Sequence, residues 1–153
     1  MREIVTTADV VKLGISRGAL AWSVKSGTRV TAGRGAYAAG SEPTTALKRS
    51  IAGAKATGGG LSGTAAGELY GLDSVTAKRI DFTVRPRTSN GRKGARRRHV
   101  EFVLVDGVLV TTGPQTMLDL AACLDDVTWE QALESALRKR LTTVEAIEAR
   151  CRR

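Results

Sequence analysis

The segment Thr6-Thr7-Ala8-Asp9-Val10-Val11-Lys12-Leu13-Gly14-Ile15-Ser16-Arg17-Gly18-Ala19-Leu20-Ala21-Trp22-Ser23-Val24-Lys25-Ser26-Gly27 decides how the first forty residues fold. Thr6 or Thr7 caps a short helix through Leu13, and Asp9 falls in its first turn, where the helix dipole favours an acid. Gly14 ends that helix. Ser16 is placed to cap a second helix running to about Ser26, and Gly27 stops it. The turn between them has helix-turn-helix length. Downstream, Thr28-Arg29-Val30-Thr31-Ala32 and Ala36-Tyr37-Ala38-Ala39 flank Gly33-Arg34-Gly35 and read as a β-hairpin. Helix, turn, helix and hairpin in this order predict a minimal winged helix-turn-helix over residues 1–40.

Ser41-Glu42-Pro43 punctuates the chain, and residues 44–153 read as a second, small α/β domain, making the fold class α+β. Thr44 to about Ala56 has helical spacing of Leu47, Ile51 and Ala54, and Gly58-Gly59-Gly60 breaks it. Ser62 is the expected cap of a helix through about Tyr70, closed by Gly71. Arg79-Ile80-Asp81-Phe82-Thr83-Val84 alternates with period two, as a half-buried strand should. Val100 to Leu104 and Val108 to Val110 flank Asp106-Gly107, a strong hairpin signal. These strands are expected to form a short antiparallel sheet. Helices over Gln115 to about Leu124, Thr128 to about Lys139 and Thr142 to about Arg152 complete the domain.

Bulk composition bounds the function. The 153 residues are 42% apolar and 25% charged, which supports a buried core, while aromatics make up only 4%. Lys plus Arg number 24 against 15 Asp plus Glu, a formal net charge of +9. Such a chain associates with polyanions, because neutralising phosphates releases condensed counterions. No apolar run reaches the roughly 18 residues a membrane span needs. The start, Met1-Arg2-Glu3-Ile4-Val5, has no signal-peptide core, and Cys123 and Cys151 are too few and too distant for a disulfide framework or zinc site. Cytoplasmic location, no metal and no cofactor are the expectations.

The series Leu13-Gly14-Ile15-Ser16-Arg17-Gly18-Ala19-Leu20, Val24-x-Ser26-Gly27 and Arg34-Gly35-Ala36-Tyr37-Ala38 resembles the AbiEi-type antitoxins and related actinobacterial regulators. The likeness extends through Leu61-Ser62-Gly63-Thr64-Ala65-Ala66, Leu69-Tyr70-Gly71-Leu72, Val108-Leu109-Val110-Thr111-Thr112 and Thr116-Met117-Leu118-Asp119-Leu120-Ala121. It implies an N-terminal winged helix that binds DNA. Many members carry basic residues mid-helix where this chain has Ala21, Trp22 and Ser23, and longer members continue into a nuclease-like domain beyond the equivalent of Arg153.

With Leu20 and Val24 on the core face, a 100° step per residue turns Ser16, Arg17, Gly18, Ala21, Trp22 and Lys25 outward. Recognition helices offer their N-terminal residues to base edges, so Arg17 is the expected base contact, with guanine O6 and N7 as its bidentate target. Gly18 and Ala21 permit close approach. A helix-surface tryptophan more often packs on its own wing or a neighbouring domain, which is the competing reading of Trp22, and Tyr37 reads as core. Lys25, Arg29 and Arg34 suit phosphates. A second basic element holds Arg85, Arg87, Arg92, Lys93, Arg96, Arg97 and Arg98, seven of the 24 cations with no acid between them. As a loop between two predicted strands it is anchored for backbone tracking or minor-groove insertion, whereas a solvated face is the bland alternative.

No catalytic constellation assembles. His99 beside Arg96-Arg97-Arg98 is better placed as a phosphate neighbour than as a base, and Gly58-Gly59-Gly60 lacks a following Lys-Ser/Thr. Asp81 and Glu101 fall on neighbouring predicted strands, as in a metal-dependent nuclease, but Val103 stands where such a site needs lysine. The expected function is therefore that of a non-enzymatic, sequence-specific repressor of double-stranded DNA, stand-alone and of a type carried by phages or mobile elements. A monomer on an asymmetric site is favoured over a homodimer. The alternative is an antitoxin that binds a partner protein through the second domain and regulates its own operon. RNA binding is disfavoured by the paucity of aromatics.

Overall fold

Thr6 begins the first helix as its residue type requires. In the computed structural model, whose described residues are 4–40, 44–85, 95–97 (backbone path only) and 99–152, helix α1 spans Thr7–Lys12. The Thr6 hydroxyl accepts the Asp9 N–H at 3.2 Å, and Asp9 Oδ2 accepts the Thr6 N–H at 2.9 Å, closing a reciprocal capping box. Helix α2 spans Arg17–Lys25, with Ser16 Oγ accepting the Ala19 N–H at 3.1 Å. Gly14 and Gly27 end the two helices with φ of 66° and 75°, a backbone glycine adopts without a Cβ penalty.

The hairpin forms as expected, from strands Arg29–Gly33 and Ala36–Ala39. A third strand, Ile4–Thr6, precedes α1 and is too short to show a period in the sequence. Numbered β1 (Ile4–Thr6), β2 and β3, the strands form an antiparallel sheet in the order β1-β3-β2, with Ile4 opposite Ala38 and Thr6 opposite Ala36. One face carries Ile4, Ala32, Ala36 and Ala38, all buried.

That face is closed by α3 (Ala46–Thr57), which Thr45 caps and Gly58 ends in the left-handed region. The same helix packs on a second sheet. Strands β4 (Gly60–Leu61), β5 (Phe82–Val84), β6 (Ala95–Arg97), β7 (Phe102–Val105) and β8 (Val108–Thr111) order there as β6-β5-β4-β8-β7. This sheet is mixed, not antiparallel as expected: β4 runs parallel to β8, and β5 to β6. The reason lies in the glycine run read as a breaker, whose end supplies β4. Gly58 ends α3 as expected, and a Cβ on Gly59 would strike the Thr83 carbonyl and one on Gly60 the Phe102 ring, so the next two glycines also admit close neighbours. All three residues of β5 are buried, so both sheet faces are covered there, against the half-buried expectation.

Asp106 and Gly107 join β7 to β8 with φ of 49° and 76°, the pair of positive values a type I′ turn demands. Helix α4 (Gly63–Leu69) follows β4. Ser62 stands at its start but does not cap with its side chain; the hydroxyl instead donates to Asp81 Oδ1 at 3.0 Å. Helices α5 (Gly113–Ala121), α6 (Asp126–Arg138) and α7 (Val144–Cys151) end the chain, with Pro114 in the first turn of α5 and caps Asp125 and Thr143 for the others. Leu72, Val75, Met117, Leu120, Ala132 and Ala136 form a second apolar cluster, over which Trp129 Nε1 donates to the Met117 carbonyl at 3.0 Å. Among the described residues no helix is long and apolar enough to cross a membrane.

Gly53 tests the close packing of α3. Alanine there gains about 1 kcal/mol of helix propensity, yet its Cβ would sit 2.5 Å from Phe82 Cε1, a buried ring without room to withdraw. Overpacking costs about 1–3 kcal/mol. Gly53→Ala is therefore expected to lower the midpoint of urea unfolding, although the same exchange in an exposed helix would raise it.

Candidate nucleic-acid interface

Leu20 anchors α2: it is buried, Val24 is half-buried, and Ser16, Arg17, Gly18, Ala21, Trp22 and Lys25 are all exposed. The outward face derived from helical spacing is thus the observed one. Trp22 is 68% exposed and covered by neither hairpin nor second sheet, which corrects the packing alternative. The packing face of α2 is too narrow to include it. Tyr37 is also not core; it is half-buried, because alternation along β3 gives the α3 side to Ala36 and Ala38. Arg34 is exposed in the hairpin turn, and Arg29 is half-buried on β2 opposite Ala39.

The capping of α1 and α2 fixes the electrostatics of this region. Hydrogen bonds from the Thr6 N–H and, secondarily, its hydroxyl hold the Asp9 carboxyl below the usual carboxylate range. The start of α2 has no acid in its first turn; Arg17 stands there instead. The dipole therefore favours an anion that Arg17 would share.

The second basic element is divided. Arg85 is exposed directly after β5. Arg96 and Arg97 belong to β6, opposite Thr83 and Val84, and so to an edge strand rather than a loop. The reading of residues 85–98 as one loop is corrected to that extent: Ala95-Arg96-Arg97 is too short and too charged to signal a strand. Arg87, Arg92, Lys93 and Arg98 lie outside the described residues. His99 is exposed.

The strand order also corrects the placement of Asp81 and Glu101. Between β5, which follows Asp81, and β7, which follows Glu101, lie β4 and β8. Asp81 is buried, accepting from Ser62 Oγ, with its own N–H donating to Ser50 Oγ at 2.9 Å, whereas Glu101 is exposed. Among the described residues no three His, Cys, Asp or Glu side chains gather as a metal ion would require. Two cations escaped the sequence reading. Lys78 and Arg79 are exposed beside a cavity of about 670 Å³. Arg79 reads as the start of a strand, but β5 begins only at Phe82. No model of a protein family matches the chain, and no curated protein matches it.

The Asp9 carboxylate yields a pH prediction. A carboxyl whose folded pKa is depressed contributes stability present above its unfolded pKa and lost as pH falls through the folded value. Asp9→Asn should therefore destabilise at neutral pH, and the difference from the parent should shrink below the usual carboxylate range, as followed by thermal melts at stepped pH. Thr6→Ala should cost about 0.5–2 kcal/mol, as loss of a helix N-cap does.

Proposed function

We propose that this protein is a sequence-specific binder of double-stranded DNA that represses transcription, with β1 to β3 and α1 to α2 forming a winged helix-turn-helix. One observation carries the reading. Helix α2 is held from behind by Leu20 and offers Ser16, Arg17, Gly18, Ala21, Trp22 and Lys25 on a single exposed face, with small residues where a groove wall would come closest. The strand order β1-β3-β2, with both helices inserted between β1 and β2, supports it. So does a net charge of +9.

In this reading α2 lies in the major groove, Arg17 reads guanine, and Ser16 and Lys25 bind backbone. Arg29 and Arg34 hold phosphates from the hairpin. Arg85, Arg96 and Arg97, with the neighbouring cations of the sequence, add a second contact on the same duplex. Two unlike contacts from one chain suit a monomer on an asymmetric site. Repression then follows from occupancy, since a bound duplex excludes polymerase without any catalytic step.

Selection from random duplexes followed by footprinting tests the proposal. A consensus without a palindrome and a 1:1 complex are expected; failure to enrich any sequence would sink it. Arg17→Ala should cost about 1–3 kcal/mol at the selected site and relax preference at one base position. Neutralising Arg96 and Arg97 together should weaken all duplexes alike, flattening the salt slope by about two units.

A further inference from the structure

We infer that the segment from Asp73 to Arg79 is a third anion-binding surface, holding a phosphate group of the DNA backbone through Lys78 and Arg79; this rests on the duplex-binding reading. The segment is neither helix nor strand, yet it is fixed at several points. Asp73 pairs with Arg138 at 2.6 Å, and Ser74 donates to Gln131 Oε1 at 2.5 Å. The Ala77 N–H donates to Glu68 Oε2 at 2.6 Å, and Lys139 Nζ reaches the Tyr70 carbonyl at 3.3 Å. Leu72, Val75 and Ala77 are buried between these ties. Ser74 is held at φ 61°, a left-handed backbone that non-glycine residues rarely adopt.

The immobilised segment keeps its cations outward. Thr76, Lys78 and Arg79 are exposed, and neither Lys78 nor Arg79 makes an ion pair or side-chain hydrogen bond among the described residues. They line the 670 Å³ cavity together with Thr64 and Thr128. Two cations without a partner among the described residues, on a fixed frame beside the exposed Thr76, match the charge and acceptor oxygens of a phosphate. One acid, Asp125, shares the wall, its oxygens accepting the N–H of Thr128 at 3.0 Å and its hydroxyl at 2.8 Å. It tempers the site without occupying the cations.

The test compares the full chain with the double variant Lys78→Ala/Arg79→Ala on a random-sequence duplex pool at several salt concentrations. Both side chains are exposed, so an unchanged thermal melt is expected. Duplex affinity should fall at least tenfold, with the salt slope reduced by about two units. Asp125→Ser, which keeps a capping hydroxyl, should tighten binding a few-fold. Unchanged affinity and slope in the double variant, while the parent binds duplex, would overturn the inference and leave the DNA reading standing. A second arm titrates inorganic phosphate and follows the Thr64 and Thr76 amides by NMR. If the parent binds no duplex but these amides move in it and not in the variant, the DNA source is wrong and a small phosphorylated ligand takes its place. If neither arm responds, the site does not exist.

Discussion

Ala46, Ser50, Ala52, Gly53 and Ala54 let α3 lie between two sheets at once. Ala52 approaches Gly33 of the first sheet, while Gly53 faces the Phe82 ring of the second. A helix packed on both sides cannot carry bulky side chains on both without forcing the sheets apart. Small residues resolve the conflict, and buried Ile51 with partly buried Leu47 brings the volume. Buried residues of both sheets consequently form one continuous cluster from Ile4 to Val110. The orientation of α2, and thus of everything on its exposed face, depends on that cluster through the first sheet.

A buried polar thread complements this apolar wall. Ser50 Oγ donates to the Ala46 carbonyl and accepts the Asp81 N–H, while Asp81 accepts from Ser62. Burying such groups unpaired would cost several kcal/mol, so their pairing specifies register as well as stability. The thread ties α3 to the entry of β5 and to the start of α4. It also leaves no room for a side chain at Gly63: a Cβ there would collide with the Asp81 carboxylate. Asp81 is thereby occupied as a structural acid.

Much of the first forty residues could be read from residue type alone, because local chemistry settles it. Thr6, Ser16, Gly14 and Gly27 act within one helical turn of themselves, and Asp106-Gly107 fixes its own hairpin. What escaped is non-local. Strands β1 and β4 are too short to display alternation and exist only because partners from distant sequence pair with them. The parallel pairing of β4 with β8 joins residues 61 and 110, a relation no local pattern encodes. The burial expected of Tyr37 and the packing alternative for Trp22 fail for a related reason, since hydrophobicity says that a ring favours burial but not which face of its element the core will claim. Lys78 and Arg79 stayed hidden because their role depends on ties from Glu68, Gln131, Arg138 and Lys139, which come from two other helices and the end of one of them.

The shared position of α3 also bears on how the chain matures during synthesis. The face bearing Ile4, Ala32, Ala36 and Ala38 is packed by residues 46–57, so it stays wet until they have left the ribosome. Until then the first helices have no firm floor. A graft that transfers the N-terminal unit to another protein should accordingly be cut beyond Gly58, carrying α3 with it, rather than in the Pro43 segment where the composition suggests a seam.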